Sequence, residues 1–429
     1  MIGGPFPVDE SKLMANACGV DFGTSNSTVG VVRPGHDALL ALEDGKLTLP
    51  SAVFFNAEDE QVSYGRAALA NYLAGYEGRL MRSLKSLLGT GLIDGQTEVL
   101  GRALPFRMLL GQFIGELKRR AETASGQSFQ HAVIGRPVFF VDGDEKADRL
   151  AEQTLSDIAG AAGFRQVAFQ FEPIAAAFDY ESRIDREEVV LVADIGGGTS
   201  DFSLIRVSPQ RARRVDRRSD ILASGGVHIG GTDFDKYLSL SSVMPLLGLG
   251  SLLNNDSEVP SSYYFNLATW HTINLAYTQK TWLQLKDIYR DARDRPKLDR
   301  LLDVIRERSG HWLAIQVEEG KIALSQAESA ILNLDRLAPR EELTITRDAF
   351  DASIVRLLGT VESTVADLLR DAGVNASDVD TVFFTGGSSG VGSLRQRIAR
   401  LVPDARAIEG DLFGSIGAGL ALDALRRFG

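Results

Sequence analysis

Apolar positions along this chain repeat with two different periods. Short runs that are apolar on consecutive residues, as expected of strands buried on both faces, occur at 18–22, 28–32, 131–136, 166–171, 190–195, 202–207 and 381–384. Segments with apolar residues three and four apart lie between and after them. Ile354, Leu357, Leu358, Val361, Val365 and Leu368 mark one helix that covers a sheet, and Val391, Leu394, Ile398 and Leu401 mark another. Within 131–140 a strand is expected to end near Pro137, and within 164–180 the Glu172-Pro173 break separates a strand from the helix that follows. Strand–helix units of this kind predict an α/β layered domain.

Two of the strands end alike. In "VLVADIGGGTSDFSLIRV" (190–207) an apolar run stops at Asp194, passes through three glycines and a threonine, and resumes after Asp201. In "CGVDFGTSNSTVGVV" (18–32) the same order carries Asp21, Gly23, Thr24 and Ser25. Glycines without a Cβ let backbone N–H groups close on a bulky anion, and a carboxylate at a buried strand end is costly unless a cation offsets it. A phosphate with hydrated magnesium meets both demands. Two such hairpins predict a duplicated fold with two lobes around a cleft.

Two stretches interrupt the halves. Residues about 52–104 read as a small insertion in the first lobe, and about 233–344 as a longer, helix-rich insertion in the second. Helices there follow from Trp282, Leu285, Ile288 and Tyr289, then Leu298, Leu301, Leu302 and Ile305, with "RDARDRPK" as the exposed joint. The organisation expected is a flexible leader at 1–14, lobe I at 15–188 completed by 408–429, and lobe II at 189–407.

Composition narrows the chemistry. With 429 residues and 44% hydrophobic content the chain can bury two or three cores, and a net charge of −11 argues against general nucleic-acid binding. The basic "RARRVDRR" (211–218) is expected to be a solvated turn. Cys18 is the only cysteine and reads as core filler, and the five histidines lack metal-ligand spacing. The segment 237–253 is too short and too interrupted by Pro245, Gly248 and Gly250 for a membrane span, and reads as a buried helix and bend. No signal peptide is visible, so a cytoplasmic location is expected.

The P-loop and Rossmann glycine patterns are absent in usable form. Taken in order, "DFGTSNS", "FEPIAAA", "DIGGGTSDFS", "IGGTDFD", "VEEGKIALS", "FFTGGSS" and "GSIGAGLAL" resemble the ATPase domain of the seventy-kilodalton heat-shock chaperones, the DnaK family, within the actin-like ATPase superfamily. The likeness spans nearly the whole chain and is nearest to the YegD-like branch. It implies a duplicated, ribonuclease H-like α/β fold that holds ATP or ADP with Mg2+.

By the same resemblance, Asp21 and Asp194 hold magnesium, largely through its waters, and Asp201 positions that shell and the attacking water. Gly23, Thr24, Ser25, Gly196, Gly197, Gly198 and Thr199 grip the phosphates. Lys85 offsets charge on the γ-phosphoryl group, and Glu172 reaches the metal shell. Gly230 and Gly231 meet phosphate or ribose; Glu318 and Lys321 contact ribose, and Ser325 contacts adenine. Gly386, Gly387 and Ser388 pass under the nucleoside, with Asp411 beneath the base. Ile322 and Gly390 stand where the family has two arginines that sandwich adenine, so base stacking is expected to be weak. Pro137 matches the proline of an interlobe relay whose arginine has Arg149 as its nearest counterpart.

The family's peptide-binding domain has no counterpart before the chain stops at "DALRRFG", so the expected function is slow, Mg-dependent ATP hydrolysis coupled to lobe closure, without a peptide clamp. The expected partner is a protein client or co-chaperone, with no nucleic acid or membrane, and the expected state is a monomer or weak oligomer. An MreB- or actin-like filament protein and a nucleotide-binding scaffold with little turnover are the alternatives. A sugar or acyl kinase would need a carboxylate facing a second substrate, and none is apparent.

Overall fold

The computed structural model describes residues 16–141, 143–411 and 414–429; the expected leader at 1–14 lies outside them. Two five-stranded sheets dominate. In the first, the order is Gln166–Phe171, His131–Arg136, Ala17–Phe22, Asn26–Gly30, Leu49–Pro50. In the second it is Arg406–Glu409, Thr381–Thr385, Glu188–Ile195, Ser200–Val207, Ile221–Val227. In each sheet the first strand in the chain pairs antiparallel with the second and parallel with the fourth, which pairs parallel with the fifth. The duplication expected from the two hairpins is thus a duplication of the whole sheet.

The strands form where the apolar runs predict. Val190, Leu191, Val192, Ala193 and Ile195 are all buried, as continuous runs in a doubly covered sheet should be. The helix Arg347–Asp371 lies along the Ile221–Val227 strand and buries Ile354, Leu358, Val361 and Val365. Chain segments 52–104 build a three-stranded sheet with the helix Gly65–Leu73, followed by a small hairpin. Segment 233–344 is mainly helical, including Gln279–Asp291, Arg295–Arg306 and Gly310–Leu324, and closes with the hairpin Ser329–Asn333/Glu342–Thr346. Residues 237–253 wind through a π turn and a 3-10 turn to Gly248, whose φ of 104° ends the helical path. Among the described residues no helix is long and apolar enough to cross a membrane.

One core belongs to both lobes. Val133 of the first sheet and Val190, Val192, Ile205 and Val207 of the second bury against the helices Glu172–Glu181 and Ser415–Phe428. The last helix follows the strand Arg406–Glu409, so the chain leaves the second sheet after Glu409 and returns to the first. The small residues of "GSIGAGLAL" have a packing reason: a Cβ on Gly419 would lie 2.6 Å from the carbonyl carbon of Ala175, and one on Gly19 would overlap Leu420 and Ala421. Backbones meet here at a distance that only glycine allows.

The basic turn at 211–218 departs from expectation. Arg217 is fully buried, donates to both carboxyl oxygens of Glu181 at 2.8 and 2.9 Å, and also pairs with Asp220, which Arg211 pairs with too. A guanidinium between two buried carboxylates replaces its lost hydration with charge-assisted hydrogen bonds. The arginines of this turn look solvated in sequence because Glu181 lies thirty-six residues before Arg217 in the chain.

Candidate functional site

The site begins at the two hairpins. Asp21 pairs in register with Thr28, and Asp194 with Asp201, so each aspartate stands one residue pair before the glycine turn of its hairpin. In the second hairpin Gly196 N–H donates to Thr199 O (2.8 Å) and Thr199 Oγ1 to Asp201 Oδ2 (2.8 Å). In the first, Ser51 donates to Gly23 O (2.7 Å) and to Ser25 O (2.9 Å) through its hydroxyl and its backbone N–H respectively. The hairpins face each other closely. A Cβ on Gly197 would overlap the Ser25 hydroxyl, and one on Gly230 would lie 2.6 Å from Gly198 N.

Charge is concentrated beneath them. Lys85 Nζ, on a short turn of the first insertion, donates to Glu172 Oε1 at 2.5 Å. Burial pushes the Asp21 carboxyl up to about 7, with the Glu172 charge adding to the rise and Lys85 opposing it. Asp194 is raised well above the usual carboxylate range, first by burial, then by Asp201, Glu172 and Asp21. Burial would lower the Lys85 ammonium, but Glu172, Asp21 and Asp194 outweigh it and raise it. Asp21, Asp194, Asp201, Glu172 and Lys85 therefore act on one another as one cluster, with four acids and one cation.

Such a cluster fits a hydrated divalent cation beside phosphate. Its acids are held close at a cost that a further positive charge would remove, and the glycines leave backbone room for an anion. Among the described residues no three His, Cys, Asp or Glu side chains converge closely enough to ligate a metal directly.

The second lobe supplies the remaining expected residues. Gly231 N–H donates to Gly196 O (3.0 Å), and Thr232 N–H to Gly197 O (2.8 Å), so the start of the helix Gly231–Leu238 is sewn to the hairpin. A Cβ on Gly231 would overlap the Ser388 hydroxyl. Gly386, with φ of 82°, has no room for a Cβ beside Asp194 Oδ1, and Gly387–Gly390 follows as a 3-10 turn. Glu318 and Lys321 sit one turn apart on Gly310–Leu324. Lys321 Nζ lies 2.8 Å from Asp235 Oδ1 and donates to Gly231 O at 3.2 Å, so this ammonium is engaged within the protein. Ser325 donates to Ile322 O, Ile322 is 58% exposed, and Asp411 precedes the final helix, its carbonyl accepting from Ser415.

Several residues near the site had no sequence signal. Gly135 backs Glu172: a Cβ there would lie 3.2 Å from Glu172 Cγ. Arg347 shares with Lys321, Ser325 and Asp351 a notch of about 10 Å³, room for roughly one water. The two insertions touch across the cleft mouth. Tyr72 of the first donates to Asn274 Oδ1 (3.1 Å) and packs edge-on against His311, which Trp270 also meets edge-on, while Arg82 lies 4.5 Å from the Trp270 ring centroid.

One expectation needs correction. Arg149 is no partner of Pro137, being 75% exposed and near Glu145; the arginine that reaches Pro137 is its neighbour Arg136, which donates to the Pro137 carbonyl at 3.0 Å. A cavity of about 480 Å³ lies between the edge strand Ile221–Val227, Val138 and Phe139, and the helix Arg347–Asp371.

Two like α/β lobes that share a core and oppose Asp- and Gly-bearing hairpins define the two-lobed fold of the actin-like ATPases. This chain belongs to the Hsp70 family: the family model described as Hsp70 protein matches residues 17–112, 95–242 and 293–423. A curated relative, the chaperone protein HscA of Citrobacter koseri, is 28% identical over 432 residues, covering 95% of this chain and 58% of the relative. The chain thus spans little more than half of that protein's length.

Proposed function

We propose that this chain binds ATP with magnesium between the two hairpins and hydrolyses it slowly, coupling nucleotide state to lobe closure in a chaperone-type cycle on a protein client or co-chaperone. The cluster of Asp21, Asp194, Asp201 and Glu172 around Lys85 carries the reading. Magnesium, when bound, would neutralise these acids and the phosphate oxygens together. Asp21 and Asp194 would hold its water shell, and Asp201, oriented by Thr199, would aim the attacking water. Lys85 would offset charge developing on the γ-phosphoryl oxygens, since little else in phosphoryl transfer is left for a protein to do than position and neutralise. Ser25 and Gly197 would part to admit the phosphates. Exposed Ile322 and side-chain-free Gly390 would grip adenine weakly, which fits the YegD-like branch.

Calorimetric titration with ATP and ADP, with and without magnesium, together with phosphate release, tests this. Binding that requires magnesium and turnover that falls about a hundredfold in Lys85→Ala, with affinity held within about threefold, is the expected result. No binding of either nucleotide removes the reading. Binding without turnover leaves a nucleotide-dependent scaffold.

A further inference from the structure

We propose that Arg136 is a positioning residue that sets where Glu172 stands relative to Lys85, an inference that rests on the ATPase reading above. Arg136 ends the strand His131–Arg136 and pairs in parallel register with Phe171, the residue before Glu172. It is only 3% exposed. Its guanidinium lies 5.3 Å from the Phe171 ring centroid and 5.0 Å from that of Phe140. It donates to both oxygens of Asp148 at 2.8 and 2.9 Å, pairs with Glu152, and donates to the carbonyls of Pro137 and Val138 at 3.0 and 3.1 Å. Asp148 in turn accepts from Phe140 N–H at 2.6 Å. All three guanidinium nitrogens are engaged, which holds the side chain in this pose.

That pose matters because Phe171 leads directly into Glu172. The helix Glu172–Glu181 starts there without a side-chain cap, and Pro173 stands in its first turn. Immediately before it stands the Phe171 ring, whose centroid lies 5.3 Å from the Arg136 guanidinium and 5.9 Å from that of Arg218. The Glu172 side chain is bounded on one side by Gly135 and tied on the other to Lys85. A small rotation of the helix start would move the carboxylate within that narrow slot. An apolar residue at 136 would bury the strand end as well as arginine does; the fork adds a fixed position for Phe171.

The test uses the full chain with radiolabelled ATP and magnesium under single-turnover conditions, in the parent, Arg136→Lys, Glu172→Gln and the double variant. Lysine keeps the charge for Asp148 and loses the fork and its stacking. Arg136→Lys is expected to fold, to bind ATP within about threefold of the parent and to slow the chemical step about tenfold; in the Glu172→Gln background the same change should cost less than about twofold. An unaltered rate, or an equal loss in both backgrounds, overturns the proposal. Should Arg136→Lys fail to fold, Phe171→Leu replaces it in the same cycle, and the same two results support or overturn the positioning role. A parent that binds but does not hydrolyse ATP overturns the ATPase reading, and the positioning role with it; an active parent with an additive cycle overturns the positioning role alone.

Discussion

At the scale of single residues, the acids beneath the hairpins are in tension with the fold. Asp194 is raised well above its ordinary range by burial and by Asp201, Glu172 and Asp21, and only Lys85 opposes this. A neutral isostere removes that cost, so Asp194→Asn should melt no lower than the parent without ligand, and higher at about pH 7.5. The same variant should lose the rise in melting temperature that magnesium with ATP gives the parent, since stabilisation by a ligand follows its affinity. Thermal unfolding with and without magnesium and ATP checks both. A lower melting point without ligand would mean that Asp194 is a structural partner rather than a ligand-facing acid.

At the scale of the element, the hairpins separate glycines needed for packing from those needed for a ligand. Gly230 has Gly197 and Gly198 backbone atoms 2.6 Å from where its Cβ would stand, whereas Gly198 has nothing within 4 Å. Backbone cannot step aside as a flexible side chain can, so Gly230→Ala should distort the hairpin and lower stability by about 1–3 kcal/mol. Gly198→Ala should leave the melting temperature unchanged. If phosphate occupies the open space over Gly198, the same alanine should still weaken ATP binding by about tenfold or more, on the order of the cost of one misplaced contact. Unfolding and titration on the two variants decide this, and unimpaired ATP binding by Gly198→Ala would move the phosphates elsewhere.

At the scale of the whole molecule, the two lobes are joined below by a common core and touch above through their insertions. His311 lies in that upper contact. Burial pushes it down to about 4, helped by Arg82 and opposed by its hydrogen bond to the Trp270 backbone. A histidine depressed in the folded state binds its proton more readily once unfolded. Its contribution is therefore fully present above about pH 6.5 and is lost as the pH falls towards 4. Between about pH 6.5 and 5 this costs on the order of 1–2 kcal/mol. Asp21, raised to about 7, works in the opposite direction as the pH falls, so the comparison must be with His311→Gln rather than across pH alone. The parent should lose more stability than the variant over that interval; equal slopes would place His311 outside the contact.

Much of this protein was legible in its sequence because local physics acts over a few residues. Apolar runs marked seven of the ten strands in the two five-stranded sheets, leaving out Leu49–Pro50, Ile221–Val227 and Arg406–Glu409; the Glu172-Pro173 break placed a helix start, and two Asp–Gly hairpins disclosed the duplication. The carboxylates at 21 and 194 could be chosen from the cost of a charge at a buried strand end, whereas the role of Asp201, which is exposed, came only from the resemblance. Contacts between distant segments could not be read this way. Arg217 looked solvated until the fold brought Glu181 and Asp220 to it, and Arg149 looked nearer in function to Pro137 than Arg136, whose pairing partners come from a later helix. Gly135 behind Glu172, and His311 between Tyr72 and Trp270, carry no periodic or compositional mark. Hydrophobic period and turn chemistry are written in neighbouring residues, whereas charge pairing, close backbone approach and burial of a titratable ring depend on which surfaces the topology presses together.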